Sequence, residues 1–575
     1  VSCVYKCTCK KNYILQAIIF PSATHTVSLS LSLSLSLPNT MDFTISPIQI
    51  LETILSLLIL YASLRITAHT KKKITSTKTI VTTKLVPQPS GAWPFIGHLP
   101  LLRGKDPVAI TLGAMADDHG PIFSLKLGQH QVLVLSAWET VKECLTTNDR
   151  VFATRPSIAG GKYMGYNNAL FALAPYGPYW RHVRKLATLE LLSTKRVEML
   201  SHVRTSEVDL FVKNLLSLCT KNGPSPTPVH LSELIEFLTF NINVRLIAGK
   251  RFTTEQYNEK NSEAWLFEKA VKEALYLFGV FVWSDAMPWL EWLDSLFGHV
   301  GSMKRCFKEL DYVLGKWLEE HRQRSRPQGE IDRVESDLMD VMISSLQAEE
   351  DVISGHSLDN VIKSTALVLI LTGTESTSVT LTWALSLLLN NLKTLKAAQQ
   401  ELDIHVGRDR WVQESDLPNL KYLQAILKET LRVYPPGPLA GLREATEDCH
   451  LAGYHVPKGT RVLVNIWKLQ RDPRMWANPS EFQPERFMTT HADVEFKGQN
   501  NFEYIPFSSG RRSCPGMVLG LQVVQLILAR LVQGFDMSRV GEEAVDMREG
   551  LGLALPKANP LEALLSPRLP LHLYK

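Results

Sequence analysis

Ten residues near the C-terminus constrain this chain more than any others. Phe507–Gly516 reads FSSGRRSCPG, a glycine-rich loop around one thiol, Cys514, and it opens onto an apolar helical run over Val518–Leu531. A thiolate at a helix N-terminus is favoured by the helix dipole. Gly510 and Gly516 let backbone come close to a flat ligand and leave N–H groups free to bond a sulfur. Arg512 offers a planar fork of donors for a carboxylate. A lone cysteine is more often a buried, inert thiol. Five specified residues at fixed spacing, however, coincide by chance in about one chain in ten thousand of this length.

The remaining sequence narrows the class. At 575 residues, 45% apolar and 21% charged, the chain has globular composition rather than that of a disordered polymer. Its formal charge of +5 is concentrated before residue 85, in Lys6, Lys10, Lys11 and the acid-free stretch Arg65–Lys84. The body lacks a basic domain, so a nucleic-acid partner is not expected. Past Met41 the cysteines are Cys144, Cys219, Cys306, Cys449 and Cys514, an odd number without framework spacing, which suits a cytosolic body.

The N-terminal part reads as three pieces. Residues 1–40 carry a Ser-Leu dipeptide repeat over Ser28–Leu37 and are expected to be translated upstream message, with Met41 as the start; a real strand beside a Cys3, Cys7 and Cys9 cluster is the alternative. Residues 41–70 contain the apolar run Ile45–Leu64 followed by Lys71–Lys73, the pattern of a single-pass anchor with its basic flank in the cytosol. Residues 71–100 form a basic, proline-rich linker, in which Pro87, Pro89, Pro94 and Pro100 favour a stiff extended spacer.

Residues 101–575 are expected to form one large, mainly α domain with small β-sheets, an α+β fold without internal repeats. Ile122–Leu127 and Gln131–Leu135 around Gly128 suggest a hairpin. Amphipathic helical patterns run over 178–220, 229–248, 262–278 and 300–324. Val361–Asn390 is a long apolar helix, and Leu420–Tyr434 another that stops at Pro435-Pro436. Strand-like pieces lie at His450–Val456 and Arg461–Ile466.

Further motifs precede the cysteine loop: Trp180-Arg-His-Val-Arg184, Leu371-Thr-Gly373-Thr-Glu375-Ser376-Thr377, Glu429-Thr-Leu-Arg432 and Pro484-Glu-Arg486-Phe487. Glu429 and Arg432 at i,i+3 share a helix face. Gly373 within an apolar helix costs about 1 kcal/mol relative to Ala, a cost that has a use where the helix passes a flat cofactor. Glu375 with Ser376 and Thr377 supplies a carboxylate and hydroxyls for proton transfer. Neither a Gly-x-Gly-x-x-Gly fingerprint nor a P-loop is visible, so the chain has no visible dinucleotide site of its own.

In this order these motifs resemble those of the cytochromes P-450, the haem-thiolate monooxygenases. GAWPFIGHLP, YNNALFALAPYGPYWR and DIHVGRDRWVQESDL are similar to plant family 82. The resemblance implies haem b held by Cys514 as axial iron ligand, with Trp180, Arg184, Arg443, Phe507, Gly510, Arg512, Gly516 and Gly373 around it. It implies Glu375, Ser376 and Thr377 as the catalytic proton-handling segment, with Ser376 where the family usually has Thr. Glu429, Arg432 and Arg486 are implied as a structural clamp. Substrate contacts are implied for Ser157–Phe171, Ala366–Thr372, Pro438–Leu442 and Leu551–Leu555.

The activity implied is NADPH- and O2-dependent oxidation of an apolar plant metabolite such as an alkaloid, coumarin, flavone or terpenoid, at the endoplasmic reticulum membrane with the catalytic domain facing the cytosol. The partners implied are a flavoprotein reductase and cytochrome b5. A reductase-independent haem-thiolate isomerase or dehydratase, and a non-enzymatic haem protein, remain as rivals.

Overall fold

The computed structural model describes residues 53, 56, 85–220, 227–260, 262–324, 337–346, 352–496 and 501–574. The chain divides into two compact units, Val1–Thr82 and Thr83–Lys575. Of the first, only Thr53 and Ser56 are described, both helical and exposed. The expected upstream segment 1–40, the anchor 41–70 apart from those two residues, and the run 71–84 lie outside the described residues.

In the second unit the proline-rich stretch is part of the fold rather than a free spacer. His98 is fully buried, its Nε2 bonded to Pro89 O at 3.0 Å while Lys126 N–H donates to its Nδ1 at 2.9 Å. Ser124 N–H donates to Pro87 O. These bonds close on the expected hairpin, β1 (Ile122–Leu127) and β2 (His130–Leu135), paired antiparallel. Gly128 turns it with φ +60°, and a Cβ there would sit 2.3 Å from Ala286 O, so only glycine fits.

The helical pattern 178–220 is not one helix. It breaks into α1 (Pro178–Leu186), a π-turn over Ala187–Leu191, and shorter pieces before Ser201–Thr220. Ser193 Oγ accepts from Arg196 N–H and starts a new helix there. Then come α2 (Leu231–Ala248), ended by Gly249 at φ +62°, and α3 (Glu263–Gly279), capped by Ser262. The long helix α4 (Leu358–Asn390) begins three residues earlier than its apolar run, because the Ser357 hydroxyl caps Asn360 N–H. At 33 residues it is about 50 Å long and crosses the core.

α5 (Lys421–Val433) precedes β3 (Leu439–Glu444) and β4 (Arg461–Asn465), which complete a four-stranded sheet in the order β1-β2-β4-β3, with β2 and β4 parallel. The register of β3 on β4 shifts between Ala440 and Arg443, a bulge that re-aims the side chains there. His450–Val456 is a tight hairpin rather than one strand, turned by Ala452 (φ +51°) and Gly453 (φ +76°). α6 (Met517–Gly534) follows the cysteine loop. Among the described residues it is the one helix long and apolar enough to cross a membrane, and 61% of that stretch is buried inside the protein, as befits a core helix. The architecture is thus mainly helical with small sheets, the α+β class expected.

Candidate active site

α4, α5, α6, β3 and the cysteine loop enclose a cavity with about 930 Å³ of empty space, part of it open to solvent. Cys514 stands in its wall. The loop is held by Cys514 N–H donating to Phe507 O at 2.9 Å and Ser513 N–H to Gly510 O at 3.1 Å. Gly510 is at φ +70°, and a Cβ there would lie 2.5 Å from Asp149 Oδ1. Its glycine is required by backbone and neighbour alike. Gly516 has an ordinary negative φ and room for a side chain; it caps α6 and turns its N–H toward the Cys514 sulfur. Burial pushes the Cys514 thiol up, against the pull of that N–H and of Arg184. A thiol so placed ionises when it meets a metal cation.

Three guanidinium groups line the same cavity: Arg155, Arg443 and Arg512. Arg512 gives three of its five N–H donors to the carbonyls of Ala153 (2.7 Å), Phe171 (3.1 Å) and Ala174 (2.6 Å) and lies over the Trp180 indole, 4.3 Å from its centroid. Burial, then Arg443 and Arg184, push it down to about 9. Arg443 is fully buried at the β3 bulge, its Nε unpartnered. Arg155 was missed in the sequence, where it is a solitary cation before Pro156 without motif spacing. It donates to the carbonyls of Gly441 and Leu442, freed from the sheet by the bulge, and a Cβ on Gly441 would come within 3.0 Å of it.

Several expected residues take other places. Trp180 and Arg184 do not line the cavity: Trp180 backs Arg512, and Arg184 donates to Ser513 O at 2.7 Å, so both brace the loop from behind. Gly373 faces away from the cavity, toward α2. A Cβ there would lie 2.4 Å from Asn243 Oδ1, so its use is helix–helix contact rather than cofactor contact. Ser376 and Thr377 line the cavity, with Thr380. Glu375 does not; one residue along a helix is about 100° around it. It lines a second cavity, with about 1260 Å³ of empty space, together with Glu236, Glu268 and Lys272. Leu551–Leu553 line that second cavity as well, whereas Leu439–Gly441 line the first.

Behind the first cavity Glu429, Arg432 and Arg486 meet. Glu429 accepts from Arg432 Nε at 2.7 Å and Nη2 at 2.8 Å, from Arg486 Nε at 3.0 Å and from Gln483 N–H at 2.9 Å. Arg432 adds the carbonyls of Gln470, Pro479 and Glu481. All three side chains are buried.

The donor set fits haem: one thiol exposed in the cavity wall for the iron, and three cations, one with an unpartnered buried N–H, for two propionates. Comparison with known proteins agrees. The cytochrome P450 family model matches residues 87–561, and the chain belongs to that family. It is 53% identical over 495 residues to dimethylnonatriene synthase of Arabidopsis thaliana, covering 86% of this chain and 93% of that protein. It is 50% identical to flavonoid-6-hydroxylase of Ocimum basilicum (86% and 93% covered) and 44% to cytochrome P450 82A1 of Pisum sativum (86% and 94%). A zebra fish cytochrome P450 solved with progesterone superposes with TM-score 0.67 at 26% identity, covering 80% of this chain and 100% of that one. The resemblance to plant family 82 holds, and the protein is a monooxygenase with thiolate-ligated haem and reductase-supplied electrons.

Proposed function

We propose that this protein is a membrane-anchored, NADPH- and O2-dependent hydroxylase of an apolar plant specialised metabolite, with its catalytic domain on the cytosolic side of the endoplasmic reticulum. The observation that carries the reading is one thiol and three guanidinium groups converging on a single cavity. Relatives named for hydroxylating a flavonoid, xanthotoxin and strychnine favour a polycyclic or aromatic substrate over a hydroperoxide. The apolar run Ile45–Leu64 supports the anchor, 71–84 the basic link to a domain that begins before 101, and 1–40 stays assigned to upstream message. Cytochrome b5 is proposed as a second electron donor.

Haem, when bound, supplies the activation of dioxygen. Cys514 would hold it by the sulfur and Arg155, Arg443 and Arg512 by its carboxylates, with Phe507 in the cavity wall. Ser376 Oγ donates to Thr372 O at 2.7 Å, one turn back, which leaves its lone pairs toward the cavity to receive a proton. Glu375 is pushed up to about 7, chiefly by burial and further by Glu236, against Ala554 N–H. It therefore holds its proton closer to neutral pH than a free carboxyl does, which suits a general acid. In this proposal Glu375 collects protons from the second cavity and delivers them to the Ser376 and Thr377 side by a swing of its side chain.

Membranes containing the protein and a reductase should consume NADPH with a true substrate from an alkaloid, coumarin, flavone and terpenoid panel and form a hydroxylated product. Turnover of a hydroperoxide without NADPH would overturn the reading in favour of an isomerase.

A further inference from the structure

Asp149 lies outside every motif read from the sequence, yet it joins the cysteine loop to the arginine cluster. Its side chain is 7% exposed. Its carboxylate accepts from Arg511 N–H at 3.2 and 3.1 Å and from Arg511 Nη1 at 2.8 Å, and it stands 3.8 Å from Arg443 Nη1. Gly510 is pressed against it at a distance that admits no side chain. The stretch that follows Asp149 carries Phe152 O and Ala153 O, which hold Arg443 and Arg512, and then Arg155 itself.

The charges around the cavity do not balance without it. Burial and mutual repulsion hold Arg155 and Arg512 below the usual guanidinium range, and burial does the same to Arg443. No carboxylate partner for Arg155 or Arg512 occurs among the described residues. The other acidic group beside Arg443, the Cys144 thiol, is pushed up to about 12 by burial and stays neutral. Three cations thus line the cavity itself, haem brings two carboxylates, and Asp149 supplies the third negative charge; Arg184, behind the loop, acts on the Cys514 sulfur instead. Arg511, its closer partner, is half exposed and screened by water.

We infer that Asp149 is a positioning residue that completes the charge balance of the haem-carboxylate arginines and thereby sets the reduction potential of the bound haem. This rests on the proposed haem site. Removing a buried negative charge beside the cysteine loop disfavours the oxidised, more positive state of a haem bound there, so the potential rises; freeing that charge from Arg511 lowers it.

The test is an equilibrium redox titration of the intact haem-loaded protein and its variants, with the carbon-monoxide band recorded alongside. Asp149→Asn should shift the potential positive, and Asp149→Glu should restore much of the wild-type value. Arg511→Gln should shift it negative and by less, because Arg511 is half exposed. If Asp149→Asn retains haem at an unchanged potential, or both variants shift in the same direction, the inference is wrong. Should Asp149→Asn fail to hold haem, the sign of the Arg511→Gln shift decides. An unmoved carbon-monoxide band with a moved potential separates this inference from any fault in the Cys514 assignment.

Discussion

Two clusters of arginine, one around Glu429 and one around the Cys514 cavity, differ in what meets their guanidinium groups. Around Glu429, every guanidinium is met by a carboxylate or a carbonyl of the chain. Around the Cys514 cavity, Arg155 and Arg512 are met by backbone carbonyls and no carboxylate, Arg443 has one carboxylate at 3.8 Å, and its buried Nε–H has no partner. A buried polar group left short of partners costs stability, and such groups cluster where a ligand completes them. The first cluster is finished by the chain itself and acts as scaffold. The second, in the site proposed above, is the one left for the cofactor to finish.

Glu429→Gln should break the first cluster most severely, because it strands two buried cations. The expected loss is about 3–5 kcal/mol, read as a fall in denaturant midpoint with or without haem. A loss confined to the haem-loaded form would move Glu429 into the site.

Glu375 is a third kind of buried acid, with no cation among the groups that shift it. Its folded pKa lies above its unfolded value, so folding favours the protonated form. The contribution is fully present below about pH 4 and is lost as pH rises through about 7. Glu375→Gln should remove that pH dependence and stabilise the protein at pH 8 by up to about 3 kcal/mol, less whatever solvent screening remains. Pulse proteolysis at pH 5 and pH 8 checks both the sign and the size.

Arg443→Gln sharpens the contrast from the other side. Without haem it should leave stability within about 1 kcal/mol of wild type or raise it, since it removes an under-paired buried charge. With haem it should weaken retention by roughly tenfold or more, the worth of a charged hydrogen bond of about 1.5–3 kcal/mol. Haem transfer to a scavenger protein measures this. A large destabilisation of the haem-free form would show that the two clusters do not differ as described.

The smallest effect belongs to the Ser376 hydroxyl. Ser376→Ala should release peroxide while NADPH consumption continues. Ser376→Thr should match or improve coupling, because the added methyl limits the rotamers. The ratio of product to NADPH reads both.

Much of this architecture was legible because its signals are local. A glycine between alternating apolar runs marks the β1–β2 hairpin, and an apolar run too long for a strand marks α4. The i,i+3 spacing put Glu429 and Arg432 on one helix face, and it was the family resemblance that added Arg486 to them. What sequence could not show is which way neighbours point. Glu375 and Ser376 are adjacent in the chain and face different cavities, and Gly373 answers to Asn243 on another helix. Arg155 and Asp149 reach their partners across almost three hundred residues or more, by way of a sheet bulge and a loop that carry no periodic signal.

The most direct test of the central claim is the reduced carbon-monoxide spectrum of the wild-type protein and of Cys514→Ala. The wild type should show the long-wavelength band of thiolate-ligated haem, and the variant should lose it while keeping its fold, because the Glu429 cluster is untouched. A long-wavelength band that survives in Cys514→Ala would contradict the account.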